Sequence, residues 1–403
     1  MKRFAALALA VLTTFGFVAA ANAQTAVAPL VTKDATTIVR VDLSQIDGSQ
    51  LSQTTQKLVG AAVDYFVADA EKAQELKNAA PLLSMFAAQY AEMYVSPLKD
   101  AGVSELYVVV DKAADAEKPA YPYLAIPVAG FTKDQIDEVR AALASLNGQF
   151  NNAMKYRFVR HGFAIVPFIP ETVAVDDAKA YVKARFEKIA KADDAVFAEG
   201  FAKLGTGAVV SVVGLATDVD PAAQAQIDET LASLATLGAD APEGLADFVQ
   251  KSLDWNKKFA ELHRYGAFKI DLNALEVVSV VETKSPEAAQ KYLALVDEVK
   301  KETTAFVEKT LDAQLAANEE NKLTQDDVAL LKGDLTAIVD AFLGALKADG
   351  ATLTWKLDGQ FFADSKPVFD KLAADALAIQ KTLTPPEDEA EDAPVDDALD
   401  FEF

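Results

Sequence analysis

The chain has 403 residues, 51% hydrophobic and 25% charged, with 61 acids against 38 bases, no cysteine, and two histidines, His161 and His263. This composition suits a globular protein with two cores. It excludes a disulfide-stapled scaffold, a Cys-ligated zinc or iron–sulfur site, a thiol nucleophile and a multi-His metal centre. The net charge of −23 argues against a nucleic-acid binder, because phosphate affinity comes from clustered Lys and Arg.

In chain order, targeting comes first. Met1-Lys2-Arg3 is a positive start, an apolar run follows from Phe4 to about Ala21, and Ala21-Asn22-Ala23 is a small-x-small cleavage pattern. Residues 1–23 are therefore expected to be a signal peptide cleaved after Ala23. The alternative is an uncleaved anchor, but Thr13, Thr14 and Gly16 dilute the apolar run. No later stretch reads as a membrane span, so an extracytoplasmic product, periplasmic or secreted, is expected.

Thr36 to Leu43 is a β-branched strand, followed by helical stretches near 50–78 and 81–98. Strands follow at Ser104 to Asp111 and Tyr121 to Ala129, then a helix from Thr132 to Leu146. A hairpin of Tyr156 to Arg160 and Phe163 to Phe168 turns at Arg160-His161-Gly162. These elements form a first repeat over 24–175, and linking helices occupy 176–206. The second repeat, 207–384, opens with Ala208 to Leu215 and helices near 220–237 and 243–262. Strands Tyr265 to Asp271 and Leu275 to Glu282 come next, then a helix from Ser285-Pro286-Glu287. A helical insertion, 300–347, restarts at Thr324 with early acids and carries the stripe Leu330, Leu331, Leu335, Val339, Phe342 and Leu346. The half closes with Thr352 to Leu357 and Gln360 to Ala363, turning at Leu357-Asp358-Gly359. Residues 385–403 are expected to be a disordered acidic tail, since 387–403 hold nine acids and no base.

Both halves thus read β-α-α-β-β-α-β-β. The expected class is α+β, with two mostly antiparallel sheets, each covered by helices on one face. The order "TTIVRVDL", a helical pair, "SELYVVVD", then "AVVSVVGL" and "SPEAAQKYLALV" resembles uncharacterised secreted proteins of planctomycete-type bacteria. That resemblance implies export and implies no particular chemistry.

Enzyme signatures are nearly absent. There is no Gly-x-Ser-x-Gly elbow, His-Glu-x-x-His pair, phosphate-cradling loop or EF-hand loop. Asp218-Val219-Asp220 lacks the third ligand and glycine of a calcium loop, and Ser96-Pro97-Leu98-Lys99 matches Ser-x-x-Lys without its companion motifs. No catalytic residue, metal site or cofactor is assigned. The candidate ligand-binding set is Trp255, Lys258, His263 and Arg264, echoed by Arg160 and His161 in the first half. Cations interleaved with aromatics can hold an anionic or sugar-like ligand. The plainer reading puts Trp255 on a core stripe with Leu245, Phe248, Phe259 and Leu262. The linking helix carries Lys179, Lys183, Arg185, Lys188 and Lys191, a strip able to dock the chain's own acidic tail or an acidic partner, or to face solvent. The leading functional expectation is a non-catalytic module that binds a small ligand or an envelope protein. The alternative is a hydrolase using paired carboxylates, and a third reading is an envelope chaperone or inhibitor using the helical insertion. A binding module should leave an apolar patch or helix face uncovered.

Overall fold

The computed structural model describes residues 30–32, 34–66, 70–112, 120–146, 154–187, 195–216, 244–317 and 324–383. The signal peptide, the helix near 220–237, the Asp218 turn, Lys188, Lys191 and the acidic tail lie outside them.

The first half runs β1 (Ala35–Asp42), α1 (Gly48–Phe66), α2 (Ala70–Tyr90), α3 (Ser96–Asp100), β2 (Glu105–Asp111), β3 (Tyr123–Pro127), α4 (Lys133–Leu146), β4 (Phe158–Arg160) and β5 (Phe163–Pro167). Two linking helices follow, α5 (Val175–Glu187) and α6 (Ala195–Leu204). The second half runs β6 (Val210–Leu215), α7 (Leu245–Leu262), β7 (His263–Asp271), β8 (Glu276–Thr283), α8 (Pro286–Ala317), α9 (Gln325–Gly344), β9 (Leu346–Asp349), β10 (Thr352–Leu357) and α10 (Gly359–Leu383). The class is α+β, as expected.

The two expected sheets are joined into one. Its order is β4-β5-β3-β2-β1-β6-β7-β8-β10-β9, with every pairing antiparallel. Outward from the β1–β6 seam, the strands of each half follow the same order: first, second, third, fifth, fourth. The join satisfies backbone groups that two separate sheets would leave along open edges. At its centre Ile38 lies opposite Val109 on one side and Val213 on the other, and all three are fully buried.

Alternation along the strands loads both faces with apolar side chains. One face carries Tyr107, Val109, Tyr123, Ile165, Val213 and Ala267, and Phe186 of α5 and Phe197, Phe201 and Leu204 of α6 pack on it. This cluster extends to Val280 of β8, so the two halves share one core. The opposite face carries Leu124, Ile126, Ala164 and Val166 beneath Leu98 of α3 and Val139 and Leu143 of α4. Helices therefore cover both faces of the first half, whereas one face was expected; the linking helices supply the second layer. Each such Leu or Phe contributes about 1.5–3 kcal/mol by burial. α6 approaches closely because Gly200 lacks a Cβ, which would sit 2.9 Å from a Val213 methyl.

Three local expectations are corrected. The helix boundary expected near 78–81 lies earlier, and α2 runs through Pro81, an exposed position. The insertion does restart at Thr324, whose side chain accepts from the Asp327 backbone N–H while the Asp327 carboxylate accepts in return. It ends at Gly344, however, and Leu346–Asp349 is a strand. The closing hairpin is accordingly β9–β10, turned at Gly350, whose φ of 60° favours glycine. Asp358-Gly359 is no hairpin turn: Asp358 caps α10 by accepting from the Phe361 backbone N–H at 3.0 Å.

Candidate functional site

The residues singled out by their chemistry do not converge as a set; only Trp255 and Lys258 meet, at Glu298. Arg160 and His161 sit at the β4–β5 turn, with His161 exposed at φ 53° and Arg160 engaged in contacts of its own. β4 and β7 are six strands apart in the sheet, about 29 Å at ~4.8 Å per strand. Trp255 is 3% exposed in the α7–α8 core with Phe248, Leu295 and Val299, and its indole N–H donates to Glu298 at 3.0 Å. Lys258 reaches the same carboxylate at 3.7 Å. His263 is 4% exposed, and its Nδ1 lies 2.7 Å from the Phe259 carbonyl; burial lowers its pKa. A register shift between His263 and Tyr265 turns Arg264 outward, where it pairs with Glu199 of α6 through both terminal nitrogens. The plainer core reading therefore holds for Trp255, and Lys258 and Arg264 are tied to carboxylates.

Other candidates are also bound into the fold. Lys99 donates to the Ile46 carbonyl at 2.8 Å, so its ammonium is tied to the backbone beside the Ser-x-x-Lys match. The basic strip divides: Lys179 and Lys183 are exposed, but Arg185 is largely withdrawn from solvent and paired with Asp111. Leu331 and Leu335 of the expected stripe pack on Val307 and Leu311 of α8, Val339 is buried, and Phe342 lies against Phe361 of α10. Paired carboxylates do occur, at Asp334 and Asp375, and the Lys371 ammonium bridges them. Among the described residues no group of three or more His, Asp or Glu could hold a metal ion, and no helix is long and apolar enough to cross a membrane.

Among the described residues, large apolar side chains are left exposed chiefly on the outer face of α2. Its inner seam is built of small residues: Ala80, Ser84 and Ala91 are buried, and Gln56 of α1 donates to the Ser84 hydroxyl at 3.0 Å. Ser84 in turn donates to the Pro81 carbonyl at 2.8 Å. Gly48 at the start of α1 lies against Ala88, within 3.7 Å of its carbonyl by its absent Cβ. Small side chains at steps of about four let the two helices approach closely, and that arrangement turns the bulky residues outward. Leu76, Leu82, Leu83, Met85, Phe86 and Met93 are 46% to 61% exposed. Among the described residues only Val159 and Val175 join them as exposed large apolar side chains. A π-helical turn, Ala91–Val95, follows α2 and carries the exposed Met93.

This reversed amphipathicity was legible in principle. Ala80, Ser84, Ala88 and Ala91 line one side of the pattern and Leu82, Leu83, Met85 and Phe86 the other. An apolar stripe is ordinarily assigned to the core, and here the small side faces inward. No family model, curated protein or solved structure matches the chain.

Proposed function

We propose that the protein is an exported, non-catalytic interaction module that engages another macromolecule through the outer face of α2. The observation that carries this reading is the uncovered row from Leu76 to Met93 on a helix whose inner seam is small. Isolated exposed apolar residues are ordinary on soluble proteins, but Leu82, Leu83, Met85 and Phe86 clustered on one helix, with Leu76 and Met93 to either side, mark a contact surface. The helical insertion is less suited to the role, because its stripe packs within the fold. Export rests on the Lys2-Arg3 start, the apolar run and Ala21-Asn22-Ala23, in line with the resemblance to secreted planctomycete-type proteins. Descent of both halves from one duplicated unit is part of the same proposal, supported by the matching strand order on either side of β1–β6.

A photo-reactive side chain placed at Leu83 in the producing cell tests the interaction. A cross-link to another macromolecule, lost when the probe is moved to exposed Asp137, is the expected result. Equal labelling at both positions, or none at either, removes the reading. N-terminal sequencing of the same material should begin at Gln24.

A further inference from the structure

We infer that the partner seated on α2 is a cationic amphipathic helix of another polypeptide, an inference that rests on the interaction reading above. Shape is the first argument. Leu76 to Met93 spans about 26 Å at ~1.5 Å per residue, a ridge one helix long, suited to anchors at i, i+3, i+4 and i+7. Area is the second. The six exposed side chains offer on the order of 500 Å² of accessible surface, still below the ~800 Å² per partner of a stable complex. The face thus fits a single helix held weakly better than a second copy held firmly.

Charge is the third argument. A net charge of −23 repels a second copy of this chain and an anionic lipid surface, and attracts a basic segment. Locally Glu75 and Glu92 are exposed beside the face, while Lys77 is half-buried and already engaged. Glu92 also borders a groove of about 490 Å³ shared with Gly48, Ser49, Ser52, Ala88 and Ser96, where a lysine at one end of the partner helix would meet a carboxylate. Met85 and Met93, two of the chain's four methionines, lie on the face. Their unbranched side chains adapt to differing apolar partners.

The test uses the full mature protein, titrated calorimetrically at physiological ionic strength with two model helices about 18 residues long, the length of the face. One alternates leucine with lysine in amphipathic register; the other replaces each lysine by glutamate. The expected result is micromolar binding of the Leu/Lys peptide, weakened at least ~10-fold in the Leu/Glu peptide and in the Leu83→Ser, Phe86→Ser double variant. Both substituted positions are about half exposed, so the variant should fold, and circular dichroism checks that it does. Equal binding of the two peptides overturns the charge assignment and leaves the interaction reading standing. Undiminished binding of the Leu/Lys peptide to the variant would be plain attraction to an acidic protein and overturns the inference. Binding of neither peptide, with the Leu83 cross-link retained, overturns the helix alone. Sedimentation as a dimer that the double variant dissolves, or flotation with phosphatidylglycerol vesicles, overturns it in favour of a second copy or a bilayer.

Discussion

Asp111, the last residue of β2, and Arg185, near the end of α5, form an ion pair inside the protein, with the Asp111 side chain 4% and the Arg185 side chain 12% exposed. The guanidinium also donates to the Tyr123 hydroxyl at 2.8 Å, and that hydroxyl donates to the Leu30 carbonyl at 2.8 Å. The pair ties the linking helix to the sheet. Its satisfaction is incomplete, since Asp111 Oδ1 and Arg185 Nη1 have no partner among the described residues.

Removing one member strands a buried charge. Arg185→Met is expected to cost about 3 kcal/mol, and Asp111→Val combined with Arg185→Met should recover more than half of it. Urea unfolding midpoints of the three proteins measure this. A single substitution costing no more than an exposed one would show that the pair does not anchor α5.

Gly200→Ala opposes two effects of known size. Alanine favours the helix by ~1 kcal/mol, but the new methyl would meet Val213 at 2.9 and 3.0 Å and the Tyr265 ring at 3.3 Å. Overpacking of this kind costs about 1–3 kcal/mol, so net destabilisation is expected. A raised melting temperature in G200A would mean that α6 lifts from the sheet without penalty.

Burial raises the pKa of Asp334, and the charge of Asp375 adds to the effect although Lys371 opposes it. The folded state then holds this proton more tightly than the unfolded chain, so the group adds stability as pH falls through its folded pKa towards the ordinary 3.8. Asp334→Asn removes the titration. The stability of D334N relative to the parent should therefore fall between pH 7 and pH 4 by more than the ~0.5 kcal/mol of a surface change. Paired denaturation curves at the two pH values decide it, and a relative gain on acidification would reverse the assignment.

His263 works in the other direction. Its pKa lies below the ordinary 6.5 because the imidazole is buried, so the folded state resists protonation and stability is lost as pH falls below that value. The Phe259 carbonyl can only accept, which places the neutral proton on Nδ1. With two histidines in the chain, imidazole NMR resolves the titration directly. A midpoint at or above 6.5 for His263 would contradict its burial.

How far the fold could be read in advance depended on the range of the interactions. β1, β2, α4, α7 and the restart at Thr324 were legible because alternation, helical spacing and capping act within a few residues. Asp358-Gly359 was misread because the same Asp-Gly pair serves as a hairpin turn or as a helix N-cap, and only the position of Gly350 settles which. The proposed site was missed for a different reason. An apolar pattern on α2 gives no sign of which face its neighbour takes, and α1 packs on the small residues.

By itself the amino-acid order determined the α+β class, the antiparallel strands and the acidic, cysteine-free character, all of which follow from local patterning and composition. Only the tertiary structure decided that β1 and β6 join the halves into one sheet, that Arg185 turns inward to Asp111, and that α2 keeps its large side chains outside. Those outcomes rest on contacts between residues tens to hundreds of positions apart. Which surfaces meet across such separations is set by complementary shape and charge, which no short stretch of sequence contains.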